Sequence, residues 1–137
     1  MNKVVPVDEE YFFEGSMIIS QTDLKDNITF ANRKFCEVSG YKVDELIGSN
    51  QSMIRHPDMP EAVFTKMWST IKGGQAWNGL VKYLRKDGLY YWADSEIIPV
   101  RDDNGEIIGY IAARKVASKK DIEDNQELYK KMIKTED

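Results

Sequence analysis

The sequence predicts an α+β domain in which a five-stranded antiparallel sheet is covered on one face by short helices and one longer helix. Three observations predict it. Residues 16–21 and 27–31 are short runs rich in Ile, Thr and Phe on either side of a turn-prone Asp23-Leu24-Lys25-Asp26, the pattern of a hairpin. Three further strand-like stretches, residues 77–84, 89–100 and 107–116, are separated by Asp87-Gly88 and Asn104-Gly105, dipeptides that favour tight hairpin turns. Between the two sets, Val63, Phe64, Met67, Trp68 and Ile71 fall on one stripe at helical spacing. An antiparallel meander buries one face and needs a covering layer, which such a helix provides.

In chain order, residues 1–15 form an N-terminal extension or cap, residues 16–117 the domain, and residues 118–137 a C-terminal helical or linker segment. The extension mixes Lys3 with Asp8, Glu9, Glu10 and Glu14 and never makes the apolar run of a signal peptide. After the first hairpin, helical spacing begins at Asn32, with Phe35 and Val38 on one face, and stops at Ser39-Gly40. A second short helix, residues 42–47, ends at Gly48. Asp58-Met59-Pro60-Glu61 reads as the start of the long helix: Asp58 caps the free amides, Pro60 is tolerated in the first turn, and Glu61 completes a capping box. Lys72-Gly73-Gly74 supplies the stop. The charged tail places Ile122, Leu128, Met132 and Ile133 on a partial apolar stripe, which fits an exposed helix and is too short to define a coiled coil.

With 137 residues, 42% hydrophobic and 31% charged, the chain is one domain with one core. The formal net charge is -4 and the Lys and Arg residues form no stripe, so nucleic acid is not an expected partner. No apolar run approaches the ~20 residues that span a bilayer, so no direct membrane insertion by this chain is expected. The one cysteine, Cys36, permits no intrachain disulfide and points to a cytoplasmic location. There is no glycine-rich phosphate loop, nucleophile elbow or Cys-x-x-Cys pair, and one His with one Cys cannot build a usual zinc site. A binding domain is expected here, not an enzyme.

Met53-Ile54-Arg55-His56-Pro57-Asp58-Met59-Pro60 places a permanent cation, a titratable ring and a carboxylate just before a helix start. That cluster suits a phosphate-bearing ligand, although composition alone favours an exposed loop in which Arg55 pairs with a nearby acid. Asp58 and His56 are placed to share a proton, with a helix cap the simpler role for Asp58. Phe64, Trp68, Trp77 and Trp92, with Tyr90 and Tyr91, read either as core or as flat surfaces on which a ring system lies.

The stretch Ile28-Thr29-Phe30-Ala31-Asn32, with Phe35, Val38-Ser39-Gly40-Tyr41 and Glu45-Leu46-Ile47-Gly48, resembles the opening half of a PAS domain. Arg55-His56-Pro57-Asp58-Met59-Pro60, Phe64, Met67-Trp68, Trp77-Asn78-Gly79, Arg85-Lys86-Asp87-Gly88 and Tyr91-Trp92 resemble, in order and spacing, the PAS domain of bacterial aerotaxis receptors. The resemblance implies a PAS fold with FAD between the sheet and the helices. It also implies that Asn32, Arg55, His56, Asp58, Phe64 and Trp77 match positions important for FAD binding. Phe64 and Trp77 would then wall the isoalloxazine, Arg55 and His56 would face the phosphates, and Asp58 would fix the loop. Trp68, on the helical stripe, and Tyr83 complete the candidate set. Tyr83 stands where better-known members carry a smaller polar residue, which bears on ring contacts and redox tuning.

The implied function is sensory: FAD reports redox state or oxygen level to the signalling domain of a chemoreceptor or to a separate transducer protein, with homodimer formation open. The chain as read carries neither the transmembrane anchor nor the signalling segment of a full receptor, so an excised domain or a separate sensor subunit is expected. Flavin photosensors of the LOV group need a cysteine beneath the ring. The corresponding region reads Ser49-Asn50-Gln51-Ser52 and Cys36 lies in an earlier helix, which argues against a cysteinyl photoadduct. Three rival readings are a haem gas sensor with His56 on the iron, a cofactor-free PAS interaction module, and a flavoenzyme, which would need an acid and base pair beside the ring.

Overall fold

A computed structural model describes residues 3–136. The first hairpin pairs β1 (Ile18–Thr22) with β2 (Ile28–Ala31). Its turn is held by Asp23, whose Oδ1 accepts the Lys25 and Asn27 N–H groups at 2.9 Å each, the self-bonding that makes Asp a turn residue. The chain reverses through Asp26, at φ 68°. Helices α1 (Arg33–Ser39) and α2 (Val43–Leu46), a 3-10 turn (Gln51–Ile54) and helix α3 (Glu61–Lys72) follow. Strands β3 (Trp77–Leu84), β4 (Tyr90–Arg101) and β5 (Ile107–Val116) then form the meander, and α4 (Lys119–Glu136) ends the described chain.

The sheet runs β2-β1-β5-β4-β3, with every neighbouring pair antiparallel. Both dipeptide turns fall where the sequence places them. Gly88 takes φ 95°, and a Cβ there would stand 2.5 Å from the Val5 carbonyl oxygen, so any larger residue meets backbone. The N-terminal extension uses that gap: the Val7 N–H donates to Gly88 O at 2.8 Å, and Tyr11 and Tyr90 continue the pairing along β4.

Strand alternation puts Ser20, Tyr83, Tyr91, Ser95 and Arg114 on the face covered by α1 and α3. Phe35, Val38, Leu46, Ile54 and Ile71 close that layer at 0–1% exposure. Fully burying each aliphatic or Phe side chain stabilises by ~1.5–3 kcal/mol, so this layer fixes how closely the helices approach the sheet.

Two expectations are corrected. Asp58 does not cap α3: Pro60 occupies the N-cap without a side-chain bond, and Glu61 completes no capping box. The first-turn amides of Glu61 and Ala62 donate instead to the Glu136 carboxylate, at 3.2 and 3.1 Å. The tail is not a freely exposed helix either. Tyr129 of α4 is buried, stacks on Trp92 on the opposite face of the sheet, and donates its hydroxyl to Leu80 O at 2.6 Å. Among the described residues no helix is long and apolar enough to cross a membrane, and no group of three or more His, Cys, Asp or Glu could hold a metal ion.

Candidate functional site

The loop leaving the 3-10 turn runs along the free edge of β3, where Arg55 pairs with Tyr83 and the His56 N–H donates to Lys82 O. This pairing blunts an exposed edge and aims Arg55 and His56 to opposite neighbours. The Arg55 guanidinium lies over the Phe64 ring at 4.0 Å. His56 is 5% exposed, with Nδ1 accepting the Asp58 N–H at 3.0 Å and its ring edge-on to Tyr90 on the opposite face of the sheet. Burial, and then the nearby Lys82 ammonium, hold its imidazole below the usual histidine range.

Two spaces meet at the Arg55–Phe64 pair. An outer groove of about 470 Å³ is lined by Tyr41, Met53, Arg55, His56, Met59 and Phe64, among others. Beneath it lies an inner cavity of about 30 Å³, lined by Asp26, Gln51, Ile54, Arg55, Phe64, Met67, Val81, Tyr83, Ile97 and Arg114. Only Arg55 and Phe64 belong to both linings.

The inner wall is more polar than the sequence pattern suggests. Tyr83 Oη and Ser95 Oγ are 2.7 Å apart, and Arg114 donates from Nε to Tyr83 Oη at 3.0 Å and from Nη1 to Ser20 Oγ at 3.2 Å. Arg114 is 1% exposed, and no carboxylate among the described residues pairs with it. Its charge is moderated by the faces of Phe35 and Tyr83, at 5.1 and 5.2 Å. Arg114, Gln51 and Asp26 are site residues that the sequence reading missed. The available signal was the alternation Tyr110, Ala112, Arg114, which puts a guanidinium on the inward face of β5.

The eight candidate residues are therefore dispersed. Arg55, Phe64 and Tyr83 line the inner cavity, and His56 joins Arg55 and Phe64 in the outer groove. Trp77 shares the inward face of β3 with Val81 and Tyr83, and its indole folds down over Gly79, where a Cβ would stand 2.5 Å from two ring carbons. It pairs across the strand with Ile97, which lines the cavity, while its own side chain does not. Trp68 is half-buried, edge-on to Tyr110 at 5.7 Å and away from the cavity. Asn32 is committed to the fold: its Oδ1 accepts from Phe35 and Ile19 N–H at 2.9 and 3.1 Å, and its Nδ2 donates to Met17 O. Asp58 lies on the far side of β3, bonded to Lys82 Nζ at 3.1 Å beside α4.

A flavin fits these residues in chemistry, with an aromatic wall, an amide, a buried guanidinium and a cation at the mouth. It does not fit the inner volume as it stands, because ligand pockets measure ~300–1,000 Å³. A ring enters only if Phe64 and Arg55 move aside and join the cavity to the groove above it.

Comparison with known proteins agrees with this architecture. A family model described as PAS fold matches residues 28–114. The aerotaxis receptor of Escherichia coli (strain K12) is 43% identical over 117 residues, covering 85% of this chain and 23% of that protein. The nitrogen fixation regulatory protein of Klebsiella pneumoniae is 33% identical over 102 residues, covering 74% of this chain and 21% of its own length. The chain thus spans under a quarter of these curated relatives. The light-state structure of the blue-light photoreceptor Aureochrome1 LOV superposes with a TM-score of 0.70 at 23% identity, covering 82% of this chain and 87% of that one. The matched family, the five-stranded antiparallel sheet and the helical layer over its inward face agree, and the chain belongs to the PAS fold family.

Proposed function

We propose that this is a sensory domain that binds a flavin, FAD by preference, with the ring between α3 and the sheet and the phosphates beside Arg55 and His56. The redox state of the ring, or the oxygen level that sets it, is then relayed to a signalling domain of a chemoreceptor or a separate transducer in the cytoplasm. The observation that carries this reading is that Arg55 and Phe64 line both the outer groove and the inner cavity. One ligand can therefore place an anionic end against a cation and a planar end against aromatic and polar walls. The name of one similar protein, an aerotaxis receptor, supports the sensory role.

When bound, the flavin supplies a reversible redox couple, and the chain supplies its surroundings. Phe64 would exclude water from a ring face, and Tyr83, held by Ser95 and Arg114, would offer a hydroxyl to the ring edge. The visible spectrum of protein purified under mild conditions tests this. Twin bands in the blue and near ultraviolet support flavin, a Soret band supports haem on His56, and a protein still colourless after FAD is supplied supports a cofactor-free module.

Arg55→Ala separates the phosphate contact from the ring site. A hydrogen bond to a charged group contributes roughly 1.5–3 kcal/mol, so FAD affinity should fall about tenfold or more relative to riboflavin affinity. FMN should bind wild type less tightly than FAD. Titration of ligand-free protein with the three flavins measures this, and equal FAD binding by wild type and variant refutes the phosphate role.

A further inference from the structure

Three dipeptides in the chain place a glycine after a side-chain carbonyl: Asn78-Gly79, Asp87-Gly88 and Asn104-Gly105. Glycine has no Cβ to shield its backbone nitrogen, so that nitrogen can attack the preceding side-chain carbonyl carbon and close a five-membered ring. The fold disarms two of the three. Asn78 and Gly79 lie in the β3–β4 ladder, opposite Glu96 and Ser95, and Asn78 Nδ2 donates to Asp94 Oδ1 at 3.0 Å and to Ser95 O at 3.1 Å. Those bonds and the extended backbone hold the amide across to β4, and the Trp77 indole covers Gly79. Asp87 is protected as an anion, which resists nucleophilic attack. Its carboxylate accepts from Arg85 Nε and Nη2 at 3.1 and 3.0 Å and from the Leu89 N–H at 3.1 Å, and the Arg85 bonds hold it below the usual carboxylate range.

Asn104-Gly105 is held differently. It closes the β4–β5 hairpin: the Gly105 N–H donates to Asp102 O at 3.0 Å, the Asp102 N–H donates to Glu106 O at 2.9 Å, and Gly105 takes φ 80°. Asp102 Oδ1 accepts the backbone N–H groups of Asn104 and Glu106 at 2.8 and 3.0 Å, so the main chain of the turn is tied down. The Asn104 side chain is not: it is exposed and forms no hydrogen bond among the described residues. Gly105 is open as well, since a Cβ built on it would meet nothing within 4 Å.

We infer that Asn104 is a site of spontaneous deamidation, selected over Asn78 by the fold. The Gly105 nitrogen gives its proton to solvent hydroxide and bonds to Asn104 Cγ; the Cγ–Nδ2 bond breaks, and ammonia leaves with a proton from water. Water then opens the ring at either carbonyl, leaving Asp or a β-linked isoaspartate at position 104. One water is consumed, one ammonia is released, and nothing is oxidised or reduced. The gate is the Gly105–Asp102 hydrogen bond, whose opening at a hairpin tip needs no unfolding of the sheet. Either product adds a negative charge beside Asp102, Asp103 and Glu106. The β-linked product also inserts a backbone carbon before Gly105, whose carbonyl accepts from Arg101 Nη1 at 2.8 Å. Arg101 Nη2 lies 3.5 Å from Gly74 O, so the change disturbs a bridge from this turn to the end of α3.

The test keeps the full chain at about pH 8, folded and in concentrated urea, and follows both Asn-Gly pairs by peptide mapping with mass spectrometry. In urea neither amide is held, and the two pairs should react at similar rates. In the folded protein Asn104 should react at least about tenfold faster than Asn78, giving two product peptides of equal mass that separate chromatographically. Its rate should fall about tenfold at about pH 7, because the attacking nitrogen must be deprotonated. Asn104→Gln lengthens the side chain so that a larger ring must close; it should abolish the acidic species that accumulates in the folded protein and leave the thermal midpoint unchanged. A smaller ratio of Asn104 to Asn78, or an Asn104 that stays intact in the folded chain after reacting fully in urea, overturns the inference.

Discussion

Asp26→Asn raises the thermal midpoint of the ligand-free protein at about pH 8 and has little effect at about pH 3. The sign follows from the folded-state carboxyl, which is raised from its ordinary 3.8 to about 6. A raised carboxyl favours the folded state while it is protonated. That contribution is complete below 3.8 and lost as pH rises through about 6. Above that window the wild type carries an ionised, half-buried carboxylate, and the displacement corresponds to at most roughly 3 kcal/mol. A change of this size moves the melting temperature of a domain this long by roughly 10 °C. Asn removes the charge and keeps the backbone conformation, so the gain appears only where wild type is ionised. Thermal melts of both proteins at the two pH values measure it, and an equal difference at both would show that charge is not the cause.

Tyr129→Ala frees α4 from the sheet. The substitution removes the stack on Trp92, at 6.3 Å between ring centres, and the 2.6 Å hydrogen bond to Leu80 O. Truncating a buried aromatic costs ~3–5 kcal/mol. Here that loss falls on a helix whose buried side chain is Tyr129, with Ile122 and Met132 only partly buried against the core, so local release is cheaper than global unfolding. Amide exchange in α4 should accelerate at least about a hundredfold. The Glu61 and Ala62 amides should follow, because the Glu136 carboxylate that they donate to leaves with the helix. Tyr129→Phe keeps the stack and loses only the hydrogen bond, so its effect should be intermediate. Unchanged protection of α4 in Tyr129→Ala would show that other contacts hold it.

The sheet was legible in the sequence because its signals are local. Asp87-Gly88 and Asn104-Gly105 announce turns within two residues, and the α3 stripe is a matter of spacing within one helix. The cap on α3 was not legible, because its carboxylate comes from Glu136, 75 residues from Glu61, and a local rule nominates the nearest acid, Asp58. The candidate site divides in the same way. Arg55, His56 and Phe64 are near one another in sequence and meet at the groove. Arg114 was passed over because a guanidinium in a strand ordinarily faces water. What keeps it inside is a set of hydroxyls on β1 and β3, contacts that only the register of the assembled sheet creates.

The last strand made is the central one. β5 lies between β1 and β4, so the two hairpins, β1–β2 and β3–β4, each form from neighbouring residues but meet only through β5. As the chain emerges from the ribosome, each hairpin has one edge of unpaired N–H and C=O groups until residues 107–116 arrive. Assembly of the domain is therefore a single late event. A chain that stops short of β5 lacks the strip joining its halves and leaves two edges open to other chains.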